Sequence, residues 1–346
     1  MFDKRKAALE SSSRSRFVYS LRAPEQSGAL FASAKGVETM FVFKQPRPVN
    51  KKKKGKAAQD ALDQLNAYLN AAEAEPVYWL CRLWGDQQKA MTYQALRESI
   101  LSGQVDEKML ADWQAAYANF VKERLQPIWT ESMAAGAERF AEKHPGLIFD
   151  PFAEGVQKWT QAHGAQWVTN VTDEARDAMA AMIDRATTGA WTADELSRAM
   201  RPLIGLTKPQ ATANLKYYEH VKASLLEHHP AMKPQAAEQK ARESAMKYAA
   251  RQQRQRAYTI ATTELAYSYN KGADEGVRQA VEQGLMGKIR RVWSTAADEA
   301  VCPDCGALEG VSVDMDEMFQ YHGHALDVPP AHPRCHCAVA YEETEN

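Results

Sequence analysis

The stretch that decides the fold runs from Pro234 to Glu282 and reads PQAAEQKARESAMKYAARQQRQRAYTIATTELAYSYNKGADEGVRQAVE. Within this stretch no second proline follows Pro234, and Gly272 and Gly276 are the only glycines. Proline is the residue that most strongly breaks a helix, because it lacks the backbone N–H and clashes with the preceding turn. We therefore expect one long or kinked helix here, and a mainly α protein built around it.

On the N-terminal side, helical patterns continue through a predicted helical body, residues 57–285. Residues 57–75 are rich in Ala, Leu and Gln, which favour helix, and Pro76 is expected to end that helix. A segment from Val105 onward places apolar residues mostly at three- and four-residue steps, so they share one helix face. Core packing is the expected role of these residues, which are Leu110, Trp113, Tyr117, Phe120, Val121, Leu125 and Ile128.

Polar residues that favour helix N-termini indicate where further helices begin. The three predicted starts are Thr172-Asp173-Glu174, Thr192 followed by Asp194-Glu195, and Thr207-Lys208-Pro209. In each, a threonine can accept a hydrogen bond from the first turn, and proline is tolerated just inside the start. Gly189 and Gly205 are expected to end the segments that precede the last two.

The character of the chain changes after Gly284. Residues 288–294, 311–313 and 335–341 are short, β-prone and separated by Gly, Pro and His. We expect a small α+β C-terminal unit, residues 286–346, packed on the helical body. Its apolar content is too low for a sizeable core, and small units of this kind usually need a metal or a neighbour for stability.

Four of the five cysteines lie in this C-terminal unit, in a pattern typical of a zinc site. Cys302-Pro-Asp-Cys305 is followed, after 26 residues, by His332-Pro-Arg-Cys335-His336-Cys337. A gap of two residues lets two thiolates reach one tetrahedral ion while backbone amides soften their charge. Cys335 and Cys337 lie two apart, so on a strand they would face the same way and His336 the opposite way.

The five candidate ligands exceed the four positions of a tetrahedral site. Cys302 and Cys305 supply one half, Cys335 is the surest member of the other, and the choice between His332 and Cys337 stays open. A thiolate-rich, closed set predicts a structural zinc ion rather than a catalytic one. Reduced cysteines buried as small hydrophobic groups, or a disulfide, are the alternatives.

A metal-dependent nuclease of the HNH type is the enzymatic alternative. His322, His324, Asp314 and Asp327 favour it superficially, but there is no Asn between Lys271 and Glu345 to orient a general base. GxxxxGK[ST], GxSxG and HExxH motifs are also missing. We therefore predict no catalytic residue, no organic cofactor and no enzymatic activity. Cys81 lies among apolar neighbours and is expected to be an inert core thiol.

The first 56 residues read as a basic, partly extended arm. They carry 14 Lys/Arg against four Asp/Glu, a net charge of +10, whereas the rest of the chain carries −11. Such asymmetry is typical of an arm that contacts a polyanion. Four consecutive lysines, residues 51–54, could contact DNA phosphates without sequence preference, or could simply be a solvated linker.

Composition excludes several classes of protein. The chain is 45% hydrophobic and 25% charged, as in ordinary soluble globular proteins. Its longest apolar runs are far shorter than the ~18 residues of a membrane span, and its N-terminus lacks the apolar core of a secretory signal. Five cysteines in 346 residues are too few for a disulfide scaffold, so we expect a reducing, intracellular environment.

A second informative segment lies inside the long helix, from Ala261 to Gly272. Helical spacing places Glu264, Tyr267 and Lys271 on one face. A buried carboxylate bonded to a neighbouring turn would explain Glu264. An active-site carboxylate is the alternative, although nothing beside it in sequence completes a mechanism.

Together these features resemble the phage head-morphogenesis (minor head protein) family, the Mu F-like group. Order and spacing follow the family over about residues 165–341, and the chain has Thr262 and His336 where members often have arginine. The residues that carry the resemblance are Thr263-Glu264, Asn270 and Gly272, Val292-Trp293-Ser294-Thr295, Asp298, Val301-Cys302, Cys305, Leu308 and Gly310, and Pro329-Pro330-Ala331-His332-Pro333-Arg334-Cys335-His336-Cys337.

The resemblance implies a virion or procapsid component, present in few copies and assembled in the host cytoplasm. Its implied partners are the phage portal protein and the capsid interior. The implied roles are head assembly and DNA packaging or delivery, without enzymatic activity.

Overall fold

The computed structural model describes residues 54–141, 143–188, 192–295, 301–321 and 323–344. These residues belong to one compact unit. The predicted basic arm, apart from its last three residues, lies outside the described part of the chain. The predicted mainly α class with a small C-terminal sheet region is confirmed.

In the described part of the chain, the helices come before the strands, except for one short helix that lies between β1 and β2. The helices are α1 Lys56–Ala72, α2 Ala74–Ala90, α3 Tyr93–Ser102, α4 Glu107–Phe120, α5 Gln126–Glu138, α6 Glu154–Thr188, α7 Ala193–Met200, α8 Lys208–His228, α9 Pro234–Glu282 and α10 Pro303–Leu308. The strands are β1 Ile289–Ser294, β2 Ser312–Asp314, β3 Phe319–Tyr321, β4 His324–Leu326 and β5 Ala338–Glu343.

The predicted long helix is α9, which runs without interruption from Pro234 to Glu282. Alanines line the buried face of its first half. In its second half, Gly136 on α5 lies against the backbone at Tyr269, and Gly272 lies against the backbone at Met133. The two helices therefore pack with their backbones in close approach, which only glycine at these positions permits.

The main core joins α9 to the helices of the body. Trp84, Trp113, Trp129 and Met179 are among its fully or nearly fully buried side chains. The predicted stripe of apolar residues lies in this core from Leu110 to Leu125, as expected. Its last predicted member, Ile128, packs instead, half-buried, against a second cluster formed by α1 and α9. One feature was not predicted: a π-helical turn, Val121–Leu125, joins α4 to α5.

Two predicted helix boundaries are wrong. Pro76 does not end the first helix, because that helix stops at Ala72 and Pro76 lies in the first turn of α2, where the missing N–H has no helical partner to lose. Thr172 begins no helix, since it is buried inside α6 and its hydroxyl donates to the carbonyl of Val168, four residues earlier. A hydroxyl bonded in this way is compatible with a helix interior.

The other two predicted starts are confirmed as capping boxes. Thr192 and Glu195 cap each other at the start of α7, and Thr207 and Gln210 do so at the start of α8. Gly205 adopts a left-handed conformation with φ 84° between them. Gly189 lies outside the described residues.

The C-terminal sheet has the order β2-β1-β5, and both pairings are antiparallel. A separate hairpin pairs β3 with β4. Contacts cross the predicted boundary at residue 285: α1 buries Leu62 and Leu65 against Leu265 of α9 and Ala338 of β5. The division into residues 1–56, 57–285 and 286–346 stays a prediction.

Candidate metal centre

The first half of the centre lies at the start of α10. Cys302 occupies the N-cap position, and its Sγ accepts a hydrogen bond of 3.3 Å from the backbone N–H of Cys305. The N–H of Gly306 donates to the Cys302 carbonyl at 2.9 Å. The sequence Cys-Pro-Asp-Cys thus forms a tight knuckle in which an amide softens the charge of a thiolate, as its spacing predicts.

The second half is a similar turn from His332 to Cys335. The N–H of Cys335 donates to the His332 carbonyl at 3.1 Å. Arg334 has φ 60°, a left-handed conformation that is uncommon outside glycine, and its N–H donates to Thr263 Oγ1 of α9 at 3.1 Å. One backbone residue is therefore held in an unfavourable conformation so that Cys335 turns back toward Cys305.

The prediction that Cys335 and Cys337 lie on a strand is wrong. Strand β5 begins only at Ala338, because the turn at Arg334 is incompatible with extended backbone. Cys335 and Cys337 are nevertheless both buried, at 2% and 3% exposure, and His336 between them is exposed. His336 is therefore directed away from the cluster, as expected.

The candidate ligand atoms fall into two groups that share Cys305. Cys302, Cys305 and His332 form one group, and Cys305, Cys335 and Cys337 form the other; within each, the ligand atoms lie within 4.8 Å of one another. His332 Nε2 lies 3.1 Å from both Cys302 Sγ and Cys305 Sγ, and Cys305 Sγ lies 3.6 Å from Cys335 Sγ. Two thiolates on one tetrahedral zinc ion are ~3.8 Å apart, given Zn–S bonds of ~2.3 Å. The donor types, and the separation of Cys305 Sγ from Cys335 Sγ, therefore fit a zinc ion.

The second nitrogen of His332 is already bonded. Nδ1 lies 2.9 Å from the carbonyl oxygen of Pro333, which assigns the proton to Nδ1 because a carbonyl only accepts. In the neutral imidazole, the form that binds metal, Nε2 then carries the lone pair, and it is Nε2 that faces Cys302 and Cys305. A backbone partner of this kind commonly fixes the tautomer and ring orientation of a metal-ligating histidine.

All four cysteines of the cluster are free thiols, so the disulfide alternative is not what this structure shows. Hydrogen bonds from Cys305 and Cys337 lower the pKa of Cys335 to about 2, although burial opposes the shift. The neighbouring sulfurs in turn raise the pKa of Cys305. The cluster thus stabilises a thiolate at Cys335, the form in which cysteine binds metal.

Helix α9 supports the centre through side chains that sequence reasoning did not assign. Asn270 is fully buried, and its Nδ2 donates to the carbonyl of Cys337 at 3.1 Å. Thr263 lies about two helical turns before Asn270 on the same face of α9, and its Oγ1 accepts the hydrogen bond from the N–H of Arg334. The resemblance marked Thr263 and Asn270 as family positions, but only the fold shows that both bond the turn that carries the second half of the centre.

A buried network of charges joins α9 to the same unit. Arg291 of β1 lies 3.2 Å from Asp274 and 3.0 Å from Asp327, and Lys271 lies 3.0 Å from both Asp327 and Glu275. Burial alone would raise the pKa of Asp327, but Lys271 and Arg291 outweigh it and lower the pKa. Burial would lower the pKa of Lys271, yet the surrounding carboxylates raise it to about 12. Each of the two cations therefore contacts at least two carboxylates within the network.

The predicted partner of Glu264, a neighbouring turn, is wrong. Its Oε2 lies 2.6 Å from His163 Nε2 on α6, and the imidazole stacks on Trp159 with ring centroids 4.6 Å apart. Tyr267 packs edge-on against the same two rings. Glu264 therefore ties α9 to α6, and 101 residues separate it from His163 in sequence.

The residues that favoured a nuclease do not gather in the described part of the chain. Asp327 belongs to the charge network, Asp314 lies near Lys288 and Arg290, and neither joins His324 in a possible metal-binding group. His322 lies outside the described residues. Cys81 is half-buried against the main core, and burial raises the pKa of its thiol, as an inert role requires.

One lysine of the predicted DNA-contacting run has a different role. The Lys54 side chain is 8% exposed, lies 3.0 Å from Glu309, and donates to the carbonyl of Thr295. Lys54 therefore anchors the chain to the C-terminal unit and is not free to contact phosphate. Lysines 51–53 lie outside the described residues.

Among the described helices, none combines the length and the apolarity that crossing a bilayer requires. Residues 192–340 match the family described as Phage Mu protein F like protein. No curated protein and no solved structure gives a significant match. The resemblance read from the motifs is therefore confirmed over residues 192–340, which include α7, α8, α9 and all five candidate ligands.

Proposed function

We propose that the chain is a minor head protein of a phage, a virion component that binds the portal or the inner capsid surface. The observation that carries the proposal is the match of residues 192–340 to the Phage Mu protein F like family, which supports a role in phage head morphogenesis. The finer role that we propose is assembly of the head and packaging or delivery of DNA. Its place is the interior of the procapsid, which is assembled in the host cytoplasm.

We propose that this role is structural rather than enzymatic. Support comes from the buried charged groups between α9 and the C-terminal unit, which pair with one another: Lys271 with Asp327 and Glu275, and Arg291 with Asp274. Carboxylates and cations that neutralise each other in this way hold α9 to β1.

A structural zinc ion is proposed for the C-terminal unit, with Cys302, Cys305, His332 and Cys335 as ligands. His332 is favoured over Cys337 because its Nε2 lies within 3.1 Å of two of the other ligands. Cys337 is the alternative fourth ligand, since it groups with Cys305 and Cys335. The ion would tie the loop after β1 to the start of β5, in a unit with a small apolar core.

The basic arm is proposed to bind DNA without sequence preference. Its net charge of +10 supports this, because electrostatic contacts to phosphate carry nonspecific binding. Lys54 is excluded from the contact surface by its bonds to Glu309 and Thr295.

The test of the head role uses phage that lack this chain, complemented with the wild-type chain as the control. Without the chain we expect fewer DNA-filled heads, and in the complemented phage we expect mass spectrometry to find the chain in purified particles. DNA-filled heads at wild-type yield without the chain, together with its absence from complemented particles, would overturn the proposal.

The test of a non-enzymatic role incubates the purified chain with single- and double-stranded DNA, with and without added Mg²⁺. We expect intact DNA in each case. Metal-dependent cleavage that disappears in His322→Ala or His324→Ala would replace the structural role with a nuclease.

A further inference from the structure

A cavity of about 620 Å³ lies beside the first half of α9, far along that helix from the metal centre. Its walls come from the end of α2, the start of α3, the segment from α7 into the turn Arg201–Leu203, and the first half of α9. The lining residues are Gly85, Gln88, Lys89, Tyr93, Arg198, Arg201, Pro202, Arg242 and Met246. Cavities of this size suit small organic ligands.

The lining of this cavity is strongly positive. Lys89, Arg198, Arg201 and Arg242 come from four different elements, and no Asp or Glu is among the lining residues. Lys89 pairs with Asp86 outside the lining, at 3.1 Å, so the three arginines carry the positive charge of the cavity. Within the described residues, neither Arg198 nor Arg242 has a carboxylate within 4.0 Å. Arg242 is half-buried, and a partly desolvated charge without a counterion is costly unless a ligand neutralises it. An anion is therefore the ligand class that the cavity favours.

One wall of the cavity is rigid. Arg201 Nε donates to the carbonyl of Gln88 at 2.6 Å, and its guanidinium lies 5.1 Å from the centre of the Tyr93 ring. Backbone carbonyls hold Arg201 in place but do not neutralise its charge. Tyr93 and Met246 are about half exposed, at 49% and 48%, so they offer an aromatic and apolar surface beside the cations.

We propose that this cavity binds a nucleoside phosphate, either as a free nucleotide or as an unpaired nucleotide of a DNA strand. Arg198 and Arg242 contact the phosphate, since the guanidinium fork matches its oxygens. Tyr93 and Met246 contact the base, because aromatic side chains stack on bases of any sequence. The site goes beyond the proposed head role and shares no residue with the metal centre.

An acidic peptide would satisfy the arginines equally well, but it would give Tyr93 no planar partner. Paired bases of a DNA duplex are already stacked, so a duplex would leave the same ring unused. The combination of arginines with an exposed aromatic wall therefore favours an unpaired base that carries phosphate.

The test measures binding to the full chain by isothermal titration calorimetry. The probes are dATP, inorganic phosphate, a short oligothymidylate and an acidic peptide of similar charge. The variants are Arg198→Gln/Arg242→Gln, Tyr93→Leu, and the matched control Arg176→Gln, an exposed arginine of α6 outside the cavity that pairs with Asp173. All variants keep the basic arm, so its contribution is the same throughout, and circular dichroism checks that each remains folded.

We expect the double arginine variant to lose about tenfold or more in affinity for dATP, since each charged hydrogen bond contributes about a factor of ten. Tyr93→Leu should weaken binding of dATP but not of inorganic phosphate, and Arg176→Gln should change neither. A parallel loss of oligothymidylate binding would identify a strand as the source of the nucleotide, whereas a loss for dATP alone would identify a free nucleotide. Unchanged dATP binding in the folded double variant, or tighter binding of the acidic peptide than of dATP, would overturn the proposal.

Discussion

At the scale of single residues, His332 and Cys337 compete for one position beside Cys305. We expect His332→Ala to lower bound zinc well below one ion per chain under mild chelation, because Nε2 faces both Cys302 and Cys305. Cys337→Ser should retain about one zinc ion per chain. Metal analysis after dialysis against a chelator measures both, with Cys302→Ser/Cys305→Ser as the metal-free reference.

The reverse result, zinc lost in Cys337→Ser and kept in His332→Ala, would assign the fourth position to Cys337. Wild-type protein without zinc, but with a protease-resistant C-terminal unit, would instead show that the cysteines are packing residues. In either outcome the circular dichroism of the helices should persist, since the candidate ligands lie outside the main core.

Asp327 supplies a pH-dependent contribution to stability. Its pKa is lowered in the folded chain, so its bonds to Lys271 and Arg291 stabilise the fold above the ordinary Asp pKa of about 3.9 and lose that effect as the pH falls through the lowered value. We expect Asp327→Asn to lower the free energy of unfolding at neutral pH by about 1–3 kcal/mol. Urea unfolding from pH 7 to pH 3 should show this difference shrinking below about pH 4.

A difference between wild type and Asp327→Asn that stays constant down to pH 3 would contradict this role. Loss of metal in acid affects both proteins equally, so it cancels in the comparison. Glu317→Gln is a suitable control, because its carboxylate accepts only from the nearby backbone N–H of Asp314 within the described residues.

The clustering of the candidate ligands could be predicted from sequence because their spacing is local. Cys302 with Cys305, and His332 with Cys335, each form a turn whose spacing alone places two donors together. The supporting contacts could not be predicted, because they join residues far apart in sequence. Asn270 and Cys337 are 67 residues apart, and His163 and Glu264 are 101 apart. Local sequence patterns do not reveal which distant polar groups the packing of a helix will bring together.

At the scale of elements, the contact between α5 and α9 depends on glycine. A Cβ at Gly272 would overlap the backbone of Met133, which neither helix can avoid without moving apart. We expect Gly272→Ala to lower the free energy of unfolding by about 1–3 kcal/mol or more. Gly85→Ala in α2 is the matched control: nothing lies within 4 Å of its Cβ, so it should raise stability by about 0.5–1 kcal/mol.

Urea unfolding of Gly272→Ala, Gly85→Ala and the wild type measures the change in the free energy of unfolding that each substitution causes. Equal effects of the two substitutions would show that α5 and α9 can separate without cost, contrary to the close approach seen at Gly136 and Gly272.

Helix boundaries show how far local sequence signals reach. Thr192 and Thr207 were predicted correctly because each has a Glu or Gln three residues later that completes a capping box. Thr172 is also followed by acidic residues, but it has no Glu or Gln three residues later. It is buried in the interior of α6. Pro76 is compatible with either the end or the start of a helix, and only the short break at Glu73 shows that it belongs to the start of α2.

At the scale of the whole molecule, the basic arm should be separable from the folded unit. Deletion of residues 1–53 should leave the melting temperature of the folded unit unchanged, because Lys54 and its bonds remain. DNA binding should weaken and lose its steep dependence on salt. Fluorescence anisotropy with a labelled duplex across a salt series measures this, and equal binding by both proteins would reduce the arm to a linker.

Lys54→Ala in the full chain is the complementary variant. It removes the cation beside Glu309 and should destabilise the C-terminal unit by about 1–3 kcal/mol while DNA binding is kept. Limited proteolysis of that unit, compared with the protein lacking residues 1–53, separates anchoring from DNA contact. Protection equal to wild type would show that the anchor is dispensable.

Because α9 is uninterrupted, it fixes the distance between the cavity at its start and the metal centre near its end. Arg242, in the nucleotide cavity, and Asn270, beneath the metal centre, lie on the same helix, and at ~1.5 Å of rise per residue about 42 Å separates them along its axis. A continuous hydrogen-bonded helix resists stretching, so the two sites act as the marks of a molecular ruler. A partner that engages both ends at once must therefore present its own two contact points at that spacing.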